Sequence, residues 1–153
     1  MKAKVALGAD HGGFALKEVI ARYLAGKGYE VLDYGAKNAE PSDYPDFAGA
    51  VAAAVRDGEA DRGILICGSG VGASIAANKF PGVRAAICHD TFSAHQGVED
   101  DDMNVLCMGE RIVGTELAKE IVDRFLAARF SGLERHVRRL GKIKKIEREY
   151  MKS

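Results

Sequence analysis

Residues Gly63 to Lys79, GILICGSGVGASIAANK, constrain the fold more than any other stretch of the 153-residue chain. Ile64-Leu65-Ile66 is an apolar run of strand length without polar alternation, the pattern of a strand buried on both faces of a parallel sheet. It passes through Cys67 into Gly68-Ser69-Gly70-Val71-Gly72, then reopens as Ala73-Ser74-Ile75-Ala76-Ala77-Asn78-Lys79, rich in helix formers. A strand that breaks into glycines and restarts as a helix directs loop N–H groups and the positive end of the helix dipole at one point, where an anion can sit. Cys67 stands at the lip of that point, and a thiol beside a polarised loop suits chemistry on a small anionic substrate. The plain alternative is a tight turn with a small core cysteine. The loop is no P-loop, since GK[ST] is missing, and Gly68-x-Gly70-x-Gly72 departs from the dinucleotide GxGxxG spacing.

The rest of the chain alternates in the same way. Lys4–Gly8 reads as a first strand, Phe14–Ala25 as a helix stopped by Gly26 and Gly28, and Tyr29–Tyr34 as a second strand. Residues 36–45 have loop composition, and Asp46–Arg56 is an alanine- and valine-rich helix. After the Gly63–Lys79 unit come a fourth strand over Val83–Cys88, a short helix over Phe92–Glu99, a fifth strand over Asn104–Met108, and a long amphipathic helix over Val113–Phe130. A basic helical tail closes the chain to about residue 150. Strands alternating with helices imply an α/β parallel sheet covered on both faces, with the strand-end loops gathered on one edge, where ligands bind.

That edge carries Asp10-His11, Cys67-Ser69, His89-Asp90 and Arg111. His11 could bind phosphate or move protons, while Asp10 could simply cap the first helix. Tyr44-Pro45-Asp46 reads as a turn with Asp46 as the cap. Arg111 could clamp an anion. In the tail, Arg135, Arg138 and Arg139 share a helix face by their spacing of three and four. The ordinary meaning of such a face is solvation, and a phosphate contact reaching a partner subunit's site is the functional one.

Composition narrows the classes. Lys plus Arg and Asp plus Glu balance at 22 each, so no overall field draws the chain to nucleic acid or anionic membrane. Three cysteines at no metal spacing point to a reducing compartment, and the absence of any long apolar run points to a cytoplasmic protein. A single domain with its own core is expected, 1–130 forming the α/β part and 131–153 a helical tail on a partner subunit.

Four segments together, Ala9-Asp10-His11-Gly12-Gly13-Phe14, Asp43-Tyr44-Pro45-Asp46, Gly63–Lys79 and Asn104–Gly114, resemble the ribose-5-phosphate isomerase B family, as does Arg135-His136-x-x-Arg139-x-x-x-Ile143 in the tail. The family includes galactose-6-phosphate and allose-6-phosphate isomerases. The resemblance implies a three-layer flavodoxin- or Rossmann-like five-stranded sheet of order 2-1-3-4-5, working as a homodimer or dimer of dimers with shared sites. It implies aldose–ketose isomerisation of a phosphorylated sugar through a cis-enediolate, with no metal or other cofactor and no nucleic-acid or membrane partner. Cys67 would be the base, and Ser69 with the amides of Gly68, Gly70, Val71 and Gly72 would hold the enediolate oxygen. Asp10 and Tyr44 would bind or open the sugar ring, and His11, Arg111, Arg135 and Arg139 would take the phosphate.

One departure stands out. Where the family pattern has His-Asn-Asp before the fifth strand, this chain reads Asp100-Asp101-Asp102. Asp100 occupies the position of the ring-opening histidine and Asp101 that of a substrate-binding asparagine. An ionised carboxylate is a poor proton donor, so Asp100 or His95, about one helical turn earlier, would have to serve. The departure admits a tetrose or tetrulose phosphate, which cannot close a furanose ring, or another pentose or hexose phosphate, as the substrate. A phosphosugar-binding module without catalysis is the alternative of another class.

Overall fold

Alternation along one strand decides which side chains meet which layer. The computed structural model describes residues 2–151, and β3 spans Arg62–Cys67. Ile64 and Ile66 enter one hydrophobic cluster, whereas Leu65 and Cys67 enter the other, on the opposite face of the sheet. The first cluster is completed by Leu16, Ile20 and Leu24 of α1 (Phe14–Gly26), Ala94 and Val98 of α4 (Thr91–Asp101), and Ile121, Val122 and Phe125 of α5 (Thr115–Ala127). The second is completed by Ala48, Val51 and Ala52 of α2 (Tyr44–Arg56) and by Ala73 and Ala77 of α3 (Val71–Ala77). The small residues on α2 and α3 bring those helices close to the face that carries Cys67.

The other strands are β1 (Lys4–Ala9), β2 (Glu30–Asp33), β4 (Ala85–Ile87) and β5 (Val105–Gly109), all parallel. The α/β class and two-sided helical cover are as expected, but the order is β2-β1-β3-β5-β4. The expected order, 2-1-3-4-5, exchanges the last two strands. Every residue of β5 is buried, as an interior parallel strand must be. β4 is only three residues long, and its Ile87 is 37% exposed, so it belongs at the edge.

Several boundaries also shift. The helix expected from Asp46 begins at Tyr44 with Pro45 in its first turn, and Asp43 rather than Asp46 occupies the cap position. The helix expected to stop at Glu99 runs to Asp101, and Asp102 ends it in the left-handed conformation. The tail helix, α6, spans Glu134–Tyr150 and meets α4 through buried His136 and Leu140. Residues 152 and 153 of the expected tail lie outside the described residues. Among the described residues no helix is long and apolar enough to cross a membrane.

The strand order can be tested by stability. Leu106→Ala, in buried β5, is expected to cost about 3 kcal/mol in urea unfolding, and Ile87→Ala, at the edge, no more than about 1 kcal/mol. Equal costs would contradict the assignment of β5 to the interior.

Candidate active site

The site is built where the ends of β3 and β5 meet. β3 delivers Cys67, and the chain turns through Gly68, Ser69 and Gly70 into α3. Gly70 has φ 84°, a left-handed conformation that disfavours a side chain, and a Cβ there would lie 3.1 Å from the carbonyl carbon of Met108. This conformation turns the Gly70 N–H back on the strand end, where it donates to Cys67 Sγ at 3.1 Å. The Val71 N–H donates to Ser69 Oγ at 3.3 Å.

The turn after β5 forms the second wall. Glu110 donates its N–H to Cys67 O (2.9 Å) and Arg111 to Gly68 O (3.1 Å). Gly109 lies against Ser69 so closely that a Cβ would stand 2.6 Å from Ser69 Cα. The two loops are therefore one unit, and moving either moves both.

Between them opens a cavity of about 290 Å³. Cys67, Gly68, Ser69 and Gly72 line it from the β3 loop, Arg111 and Ile112 from the β5 turn, and Asp10 and Tyr44 from β1 and α2. Cys67 is only 5% exposed, yet it lines the cavity. Asp10 does not cap α1: its Oδ1 accepts the Gly12 N–H at 2.9 Å, while Gly13 holds the cap position. Buried and held this way, Asp10 presents a carboxylate to the cavity. Tyr44 reaches it because α2 begins two residues earlier than its composition suggests.

The remaining sequence candidates lie elsewhere in the chain. His11 is outside the cavity lining, and its Nδ1 accepts the Ser42 N–H at 3.1 Å. Asp100 Oδ2 accepts from Gln96 (2.7 Å) and its Oδ1 lies 3.4 Å from His136 Nε2. His136 in turn contacts Ser131 Oγ through Nδ1 at 2.5 Å. Asp101 lines a different cavity, of about 130 Å³, with Arg84, Met103 and Ile143. Arg135 and Arg139 are exposed on α6, and Arg138 pairs with Glu134 at 2.7 Å. Asp10, Tyr44, Cys67, Gly68, Ser69, Gly72 and Arg111 thus line one cavity. Gly70 and Val71 belong to its loop without lining it, and His11, Asp100, Asp101, Arg135 and Arg139 lie outside it. Ile112 has no counterpart among the sequence candidates, since an aliphatic side chain carries no chemical signal in the sequence.

Burial keeps two of the cysteines as thiols. Burial, and then the Asp90 carboxylate, push the Cys88 thiol up to about 11. Burial raises Cys107 further, with Cys67 and Cys88 adding to the effect. Among the described residues no group of three or more His, Cys, Asp and Glu side chains is arranged to hold a metal ion.

A family model described as Ribose/Galactose Isomerase matches residues 5–143. Ribose-5-phosphate isomerase B of Escherichia coli is 51% identical over 144 residues, covering 94% of this chain and 96% of that protein. D-erythrulose-4-phosphate isomerase of Pectobacterium atrosepticum is 46% identical over 129 residues, covering 84% and 85% of the two chains. The solved structure of Clostridium thermocellum ribose-5-phosphate isomerase B superposes with a TM-score of 0.94 at 53% identity, covering 96% of this chain and 99% of that one.

Iodoacetamide at neutral pH is expected to alkylate Cys67 ahead of Cys88 and Cys107, read by peptide mass spectrometry. Faster labelling of either core cysteine in the folded protein would contradict this geometry.

Proposed function

The chain belongs to the ribose/galactose isomerase family and is an aldose–ketose isomerase, and from that premise we propose that it interconverts ribose 5-phosphate and ribulose 5-phosphate through a cis-enediolate, with Cys67 as base. The observation that carries the reading is Cys67 in the cavity lining, with its sulfur 3.1 Å from an amide donor. A hydrogen on carbon beside a carbonyl is too weakly acidic to leave unaided. The Cys67 thiolate takes it from C2 of the aldose, and the C–H electron pair becomes the C1=C2 double bond. The carbonyl oxygen at C1 takes the negative charge. Return of the proton to C1, with passage of the O2 hydrogen to O1, gives the ketose.

The growing charge needs fixed donors, and such donors are worth several kcal/mol because they do not reorganise as the charge forms. Ser69 and the main-chain N–H groups of the Gly68–Gly72 loop that are not given to Cys67 Sγ and Ser69 Oγ are assigned this task. Asp10 and Tyr44, on the opposite lip, are assigned the sugar hydroxyls and the opening of the ring. Arg111 and His11 take the phosphate, which orients the substrate from a distance.

Arg135 and Arg139 complete the phosphate site from the tail of a second copy, and Asp100 and Asp101 come with them. Exposed Ile112 (59%) in the cavity lining, with exposed Val71 (48%) and Ile75 (57%) on α3, supports a homodimer or dimer of dimers.

A tetrose 4-phosphate is the second reading for the substrate. Both carboxylate oxygens of Asp100 face partners within the chain, Gln96 and His136, which leaves it a poor acid for opening a ring. An open-chain tetrose phosphate needs no such acid.

A substrate panel decides between them. The pentose reading expects kcat/KM on ribose 5-phosphate to exceed that on erythrose 4-phosphate by about tenfold or more, and the reverse order would establish the tetrose. Arg139→Ala is expected to raise KM about tenfold with little change in kcat, as loss of a phosphate contact should. An unchanged KM would return the tail arginines to the solvated face.

A further inference from the structure

At the carboxyl ends of β4 and β5 the sheet ladder closes on a side chain instead of a carbonyl. Val105 donates its N–H across to Arg84 O at 3.2 Å. In a parallel ladder every second N–H of a strand faces the same neighbour, so the Gly109 N–H, four residues on, also faces β4. Its acceptor is Nε2 of His89, at 2.9 Å. The chain leaves the sheet here to begin α4, whose cap residue Asp90 accepts the Ser93 N–H at 2.7 Å. The imidazole supplies the last rung.

An N–H donor at that distance requires a lone pair on Nε2, which puts the ring hydrogen of a neutral His89 on Nδ1. Gly109 is buried, so without that acceptor its N–H would be left unsatisfied. Gly109 is also the residue whose backbone lies against Ser69, and the next two N–H groups hold Cys67 O and Gly68 O. Gly109 is thus held between the β3 loop on one side and His89 on the other.

We propose that His89 is a positioning residue for the isomerisation: as a neutral acceptor it fixes the Gly109–Arg111 turn and, through it, the Gly68–Ser69 backbone. The inference rests on the preceding reading, in which that backbone seats the enediolate oxygen. A seat displaced by a fraction of an ångström binds the sugar phosphate nearly as before but stabilises the transition state less. The signature is therefore a loss in kcat.

The test compares His89→Leu, which fills the space but accepts nothing, with His89→Gln, whose amide oxygen stands near the place of Nε2. On the best substrate of the panel, the Leu variant is expected to lose about tenfold to a hundredfold in kcat, with KM changed by less than about threefold. The Gln variant should stay within about threefold of the wild type in kcat. Nitrogen NMR of histidine-labelled wild-type protein should show Nε2 of His89 without hydrogen and Nδ1 carrying it. Full activity in the Leu variant, an equal loss in both variants, or hydrogen on Nε2 would overturn the proposal. Should the Leu variant fail to fold, the NMR assignment and the Gln variant still decide. The parent reading fails separately: if Cys67→Ala keeps full turnover, Cys67 is not the base. If it is inactive while His89→Leu is unimpaired, only the role of His89 falls.

Discussion

The structure turns on the place where one main-chain N–H meets one sulfur. On the proposed reading Cys67 acts as a thiolate, and a largely buried sulfur anion has little water around it and must be solvated by groups that cannot turn away. Gly70 provides such a group, because its left-handed backbone points its amide at Cys67, and Met108 lies too close behind to admit a side chain there. On the proposed reading glycine at 70 is thus a requirement of the chemistry as well as of the turn, and one loop serves both base and oxyanion.

The sheet supplies the rigidity this loop needs. β3 lies between β1 and β5, buried on both faces, and its end is tied to the β5 turn by the Glu110 and Arg111 amides. Strand-end loops in other settings can be mobile, but here two of them share hydrogen bonds and a contact too close for a side chain at 109. The cavity contains chemistry for the carbonyl end of a sugar, with fewer charges for its phosphate. On the proposed reading the missing charges are on α6 of a second copy, which gives the exposed arginines and the apolar rim one explanation.

Much of this could be read from the chain before any coordinates. The Gly63–Lys79 stretch declared its strand, loop and helix because apolar continuity, glycine spacing and helix formers each point the same way. Strand order could not be read, because β4 and β5 are both short apolar runs at similar spacing, and only burial distinguishes the edge from the interior. Tyr44 was placed in a loop by the prolines around it, although Pro45 is at home in a first helical turn. Asp100 and Asp101 fall beyond the helix end expected at Glu99, but the helix continues through them. Asp100 is turned toward His136, 36 positions away in the chain, a pairing no local pattern announces. The part played by Gly70 was invisible for the same reason: a glycine in sequence does not say where its N–H will point.

The central claim is that Cys67 carries hydrogen between two adjacent carbons. Incubation of ribulose 5-phosphate with the protein in deuterium oxide, followed by proton NMR of recovered substrate and product, tests it most directly. The account predicts deuterium at C1 of the ketose and at C2 of the aldose with the wild-type protein, and none at either carbon with a folded Cys67→Ala variant. Isomerisation without solvent deuterium at either carbon, or undiminished exchange in the variant, would contradict it.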